Sequence, residues 1–334
     1  MQRIDAHSHA VPPGWRKYCI ELRWEKPDGM SSIPEWSIEA HMSLMDRAHI
    51  LKSILSITSP GTYLSPGDTS LCRKITRETN SELANISALH RDRFGFFASL
   101  PLPDVEGSIA EIDYALDQLG AKGFATLTNT NGVYLGEPSL DGVFEKLNEG
   151  KAVVMIHPTT CQLCPSTHLQ AAQQVRSMEV VPLPQYPRPV LEFFFDTARA
   201  VTHLILSKIV ERNPDITFIV PHCGSVLPSV SERFTSYSTR VYGSNSISSD
   251  DVRRMFKTRF YFDLAGFPFP DQIHGILRFT DVSHLLYGTD FPFLPGDAVV
   301  DSAQRNDEEV QALFGAVGQR YIFSENARIL LNLD

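Results

Sequence analysis

Short apolar runs rich in Val, Ile, Phe and Ala, each closed by turn residues, recur eight times along this chain. They fall at residues 4–9, 52–58, 94–100, 123–128, 152–158, 217–223, 259–264 and 284–290. Longer amphipathic stretches lie between them at 35–50, 69–90, 104–119, 140–149, 189–213, 228–242 and 271–279, and 307–314 follows the last run. The runs read as strands and the stretches as helices. Strand and helix alternating in this way imply parallel strands joined by helical crossovers, because a parallel pair cannot be closed by a tight turn. Eight such units in 334 residues fit an α/β fold closed into a (β/α)8 TIM barrel better than an open doubly wound sheet. Hydrophobic segments recur without a linker-like break, so a single domain over residues 1–334 is expected. The longest irregular stretch, 162–188, carries Pro182, Pro184 and Pro187. It is expected to be a loop insertion over the barrel mouth.

Composition removes several classes of partner. The formal charge is −9 and no basic run is present, so an extended phosphate-binding surface has no electrostatic basis and nucleic acid is not expected. No stretch approaches the roughly eighteen uninterrupted apolar residues of a membrane span, and MQRIDAHSHAVPPGW at the start has no signal-peptide pattern. Five cysteines, an odd number thinly spread, do not form a disulfide framework and suit a reducing compartment. A soluble cytoplasmic protein without membrane association is the expectation.

In a barrel of this kind chemistry gathers at the carboxyl ends of the strands. Strand one ends in Asp5-Ala6-His7-Ser8-His9, where histidines two residues apart share one face of an extended chain. Strand five ends in His157-Pro158, strand six in Pro221-His222-Cys223-Gly224, and strand eight in Gly288-Thr289-Asp290-Phe291-Pro292. Four strands thus present ionisable side chains at one rim. Three neutral imidazoles and a carboxylate make a donor set for a borderline divalent ion with room left for substrate. Asp263, closing strand seven, could touch that site or cap a neighbouring helix. The series His157, Cys161, Cys164 and His168 has the spacing of a small structural zinc knuckle, but His157 cannot serve both sites. His41 and the remaining histidines lie in helical stretches or at a strand's start, where packing or surface roles are the default.

In these motifs, taken in order along the whole chain, the sequence resembles the amidohydrolase superfamily. More narrowly it resembles the aminocarboxymuconate-semialdehyde decarboxylase branch, through the stretch from His222 to Arg233 and the Gly-Thr-Asp-Phe-Pro element. The resemblance implies that His7, His9, His157 and Asp290 ligate one metal ion, Zn2+ or Mn2+, with no organic cofactor. It also implies that His222 stands beside the ion as acid or base. Arg233 is implied to cross to a neighbouring subunit and bind a substrate carboxylate there, which makes a homodimer. Relatives acting on the muconate semialdehyde carry arginine and tryptophan where this chain has His41 and Pro189, and several phenolic-acid decarboxylases carry Glu where it has His7. The implied partner is a small aromatic carboxylic acid. The implied reaction is metal-dependent, non-oxidative decarboxylation of an ortho-hydroxy aromatic acid, with 6-methylsalicylate going to 3-methylphenol and CO2 as the expected case. That expected case is what the resemblance implies through the character of residues 186–208 and the chain length.

In that reading Asp290 delivers a proton to the carboxylated ring carbon and His222 assists. Phe195 and Phe291 are the expected aromatic contacts to substrate, within a wider set of Phe193, Phe194, Phe267, Phe269 and Phe293 that are individually as compatible with core packing. Two readings stay open beside it. The same ligands could lower the pKa of water and hydrolyse a lactone or amide, or an inactive barrel could serve as a scaffold, whose signature would be a missing ligand.

Overall fold

The structure, a computed structural model, describes residues 1–163, 178–243 and 246–333. Eight strands form the barrel: β1 (Arg3–His9), β2 (Ile50–Ser56), β3 (Phe94–Phe96, resumed at Ala98–Ser99), β4 (Phe124–Leu127), β5 (Val153–His157), β6 (Thr217–Val220), β7 (Phe260–Asp263) and β8 (Leu285–Leu286). Every neighbouring pair is parallel and follows chain order. The ring closes where the Ala6 N–H donates to the Tyr287 carbonyl at 2.9 Å and the Thr289 and Asp290 N–H groups donate to the His7 carbonyl at 3.1 and 2.8 Å. This is the expected TIM barrel.

Period-two alternation sends one set of side chains inside. Ile4, Ala6, Ile54, Phe97, Ala125, Val153, Met155, Ile219 and Leu286 pack together as the barrel's inner core, and the helices cover its outside over a larger apolar layer. The same alternation carries the chemistry up to the rim. Ser56 continues the parity of Ile54, His157 that of Val153 and Met155, and Asp290 that of Leu286. In β1 the parity changes, since Ile4 and Ala6 are inner-core residues yet His7 and His9 also face the centre. A register shift between Asp5 and Ser8 opposite Ser53 and Leu55 inserts the extra residue that permits this.

The helices are α1 (Pro13–Glu21), α2 (Ile38–Arg47), α3 (Thr69–Leu89), α4 (Val105–Tyr114), α5 (Asp141–Glu149), α6 (Glu192–Leu206), α7 (Ile209–Arg212), α8 (Leu227–Tyr242), α9 (Ser249–Thr258), α10 (Gln272–Ile276), α11 (Gly296–Arg320) and α12 (Asn326–Leu331). The long helix expected over 189–213 is divided, because Lys208 adopts a left-handed φ of 63° between α6 and α7. The helix expected at 307–314 is part of the much longer α11, which runs on through a break at Gly315. Sequence patterning misses α1, α9 and α12. Of the expected insertion over the mouth, residues 164–177 lie outside the described part; its flanks Gln162–Leu163 and Met178–Glu179 pair antiparallel.

Among the described residues no helix is long and apolar enough to cross a membrane. Cys19, Cys72, Cys161 and Cys223 are free thiols. Of the zinc-knuckle alternative, Cys164 and His168 lie outside the described residues, and the Cys161 sulfur instead receives the Tyr134 hydroxyl at 3.2 Å.

Candidate metal centre

His7, His9, His157 and Asp290 converge at the barrel mouth, with one donor atom from each lying within 4.8 Å of every other. The three histidines are buried. Each is fixed in the same tautomer by a partner on its Nδ1. His7 Nδ1–H donates to Asp263 Oδ2 at 3.0 Å. His9 Nδ1–H donates to Ser56 Oγ at 3.0 Å, which must act as acceptor because its own hydroxyl donates to the Ser8 carbonyl at 3.1 Å. His157 Nδ1–H donates to the Pro158 carbonyl at 2.7 Å. With Nδ1 as the donor in each, the neutral rings turn their Nε2 lone pairs toward one point, as metal-bound imidazoles do.

Lone pairs brought together in this way require a cation between them. His7 Nε2 and His9 Nε2 stand 3.1 Å apart, too close for two lone pairs with nothing shared. Asp290 Oδ1 lies 3.1 Å from His9 Nε2 and 3.5 Å from His7 Nε2. Charge states point the same way. Burial opposes charge on His7, yet the carboxylates of Asp263, Asp290 and Asp5 together outweigh it and lift the pKa to about 9, so in the absence of an ion a proton takes up part of the site's demand for positive charge. Burial pushes His9 and His157 down. Burial would raise Asp290, but hydrogen bonding to His222 and His9 and the charge of His7 hold its carboxyl well below the usual range. The residues fit a single divalent ion.

The backbone supporting these ligands is built for close approach. Asp290 sits at a φ of 61°, and a Cβ on Gly288 would stand 2.8 Å from the Cβ of His7, so only glycine lets β8 pass β1 here. Asp5 Oδ1 accepts the N–H groups of His7 and Thr289, each at 3.1 Å, and its Oδ2 accepts the Thr289 hydroxyl at 2.7 Å. That buried carboxylate joins the chain segments that carry His7 and Asp290, and burial raises its pKa to about 7.

His222 is beside the cluster, its Nε2 3.6 Å from Asp290 Oδ2. It opens a run of left-handed residues, with φ of 54° at His222, 53° at Cys223, 76° at Gly224 and 54° at Ser225. Strain of this kind persists only where the surroundings impose it. Gln272 Nε2 donates to the His222 and Ser225 carbonyls at 2.6 and 3.3 Å, and the His222 Nδ1 atom is buried without a partner among the described residues.

Three rings of the wider phenylalanine set meet the imidazoles of the cluster. Phe194 stacks on His222 with ring centroids 5.7 Å apart, while Phe293 and Phe193 meet His9 and His157 edge-on at 5.5 and 6.2 Å. Phe195 is 43 % exposed, and Phe291 is buried with its edge against His41 at 5.0 Å. The sequence offered a period-three-to-four helix through 193–195 but not its phase. His41 is buried, accepts the Trp36 indole N–H at 3.0 Å and is driven by burial to a pKa of about 3. Pro189 is exposed in the helical turn Arg188–Val190. Arg233 is exposed on α8 with its guanidinium 4.8 Å from the Tyr237 ring centroid. Sequence reading missed Asp5 and Ser56; for Ser56 the usable signal was its shared parity with inward Ile54.

An eight-stranded barrel with three histidines and a carboxylate gathered at its carboxyl-terminal rim defines a barrel protein with a donor set for a metal ion at its mouth. Residues 4–333 match the amidohydrolase family, and the chain belongs to it. Among curated relatives it is 34 % identical to decarboxylase yanB of Aspergillus niger, over 88 % of this chain and 78 % of that protein. It is 29 % identical to 6-methylsalicylic acid decarboxylase of Penicillium expansum, over 90 % of this chain and 88 % of that one. Among solved structures, one described as amidohydrolase II superposes with a TM-score of 0.86 at 29 % identity, covering 99 % of this chain and 100 % of the other.

Proposed function

We propose that this chain is a single-domain, metal-dependent decarboxylase of ortho-hydroxy aromatic acids, with 6-methylsalicylate as its substrate and 3-methylphenol and CO2 as products. The observation that carries the reading is the convergence of three Nδ1-protonated histidines and Asp290 on one point, with His222 against the free carboxylate oxygen. His7, His9, His157 and Asp290 would hold the ion, zinc or manganese. When bound it would supply positive charge to grip the substrate's carboxylate and ortho oxygen and to favour the phenolate.

The protein's own groups do the rest. Losing CO2 directly would leave an electron pair in a ring orbital that cannot be stabilised, so the carboxylated carbon must be protonated first. Asp290, ionised at rest, takes the phenolic proton on Oδ2, the oxygen that faces His222 Nε2. It passes that proton to the ring carbon. The bond to the carboxylate then breaks, its electrons restore the aromatic ring, and the phenolate takes a proton from solvent. Phe293, Phe193 and Phe194 set their rings against His9, His157 and His222, and rings beside the cluster suit an aromatic substrate. Arg233, exposed on α8, is available to reach the site of a second copy and hold a carboxylate there, which makes the working form a homodimer. Free cysteines among the described residues fit a reducing cytoplasm.

The test is a panel of 6-methylsalicylate, salicylate and 2,6-dihydroxybenzoate beside aryl lactones, given to protein of known metal content. Metal-dependent CO2 release led by 6-methylsalicylate supports the proposal. Lactone hydrolysis without CO2 from any acid replaces it with the hydrolase reading.

A further inference from the structure

Asp263 is buried at the end of β7, and three N–H donors converge on its two oxygens. Oδ2 takes His7 Nδ1–H at 3.0 Å, while Oδ1 takes the backbone N–H of His222 at 3.1 Å and of Ala265 at 3.0 Å. One of these donors belongs to the imidazole read as a metal ligand. Another belongs to the backbone of the residue read as acid or base, at the point where the chain enters its left-handed run. We propose that Asp263 is a positioning residue that locks the His7 tautomer and the placement of His222 as one unit, so that metal capture and acid–base competence depend on the same carboxylate. The inference rests on the roles proposed for His7 and His222.

The chemistry of the donors shows why a carboxylate is required. Three donors can be satisfied only by a group that accepts at both ends, and within this volume an ionised carboxylate is the side chain that does so. An amide has one oxygen. If that oxygen faces the backbone N–H pair, the NH2 meets His7 Nδ1–H donor to donor, and His7 is driven to the Nε2–H tautomer that cannot bind a metal. If the amide turns, the NH2 meets the N–H groups of His222 and Ala265, and the strained start of the run loses its anchor. Ser56, by contrast, holds His9 alone, and Pro158 O holds His157 alone. Asp263 is the orienting group of this centre that also grips the backbone of His222.

The experiment compares Asp263→Asn and Asp263→Ser with wild type, each checked for fold by circular dichroism. Metal affinity is read by competition with a fluorescent chelator, and kinetics with 6-methylsalicylate at saturating metal. The expected result is metal binding weakened by roughly 10- to 100-fold, and a kcat that stays at least about tenfold low once metal saturates, with KM little changed. Full recovery of kcat by added metal would overturn the coupling, leaving Asp263 as a support for His7 only. Unchanged metal affinity would overturn the tautomer lock. Should neither variant fold, nitrogen-15 imidazole spectra of the metal-free wild type still decide: neutral His7 is expected to carry its single proton on Nδ1, and an Nε2–H form would contradict the inference. Failure of the wild type itself to bind metal would instead remove the proposed function.

Discussion

The proposed mechanism asks Asp290 to do two things that pull in opposite directions, to ligate with one oxygen and to carry a proton on the other. Its low pKa, set by His222, His9 and His7 against the effect of burial, makes it an acceptor at rest and a donor only once substrate supplies the proton. Asp290→Asn keeps the shape and removes that cycle, so turnover should fall by at least about 10³-fold in a CO2-release assay. Near-normal activity would exclude the proton-delivery role. His41 gives a pH prediction of a different kind. Folded His41 titrates near 3, because burial disfavours its charge, whereas in the unfolded chain it titrates near 6.5. Between those values the unfolded state binds a proton that the folded state refuses, so stability falls as pH drops, by up to about 1.4 kcal/mol per pH unit. Urea unfolding at pH 7 and pH 5 should show a smaller loss for His41→Asn than for wild type. Equal losses would mean that His41 does not stay neutral. At this scale the charged ends of strands were legible in sequence. Asp263 was not, because a strand-end aspartate that caps a helix and one that orients an imidazole look alike until the neighbouring strand is in place.

The strands were more legible than the helices, for a physical reason. An inner barrel strand is buried on both faces and reads as an unbroken apolar run, whereas a helix is legible only through the phase of its apolar stripe. α9 shows the consequence, since its sequence SDDVRRMFKT is so polar that only Val252 and Phe256 are buried. Its start is marked instead by a capping box in which Ser248 accepts from the Asp251 N–H and the Asp251 carboxylate accepts from Ser248. Ser248→Ala should therefore cost about 1 kcal/mol in chemical denaturation, and no measurable cost would show that packing alone holds the helix. Between α6 and α7, Lys208 occupies a left-handed conformation suited to glycine. Lys208→Gly should raise the melting temperature, relieving roughly 1 kcal/mol of backbone strain, and a lower melting temperature would mean the lysine stem contributes packing that outweighs it.

Across the whole molecule, the proposed ligands come from β1, β5 and the end of β8, so an ion would tie together parts of the barrel far apart in sequence. An ion that binds only the folded chain stabilises it in proportion to the logarithm of its concentration over the dissociation constant. Chelation should lower the melting temperature, and re-addition of zinc or manganese should restore it in a concentration-dependent way. A melting temperature indifferent to both would argue against a bound ion at this centre. The most direct test of the central claim is to follow 6-methylsalicylate carrying carbon-13 in its carboxyl group, with metal-loaded and chelated protein side by side. Labelled CO2 and 3-methylphenol should appear in equal amounts with the loaded protein and in neither case with the chelated one. Labelled CO2 released equally from both, or no release from loaded protein, would contradict a metal-dependent decarboxylase.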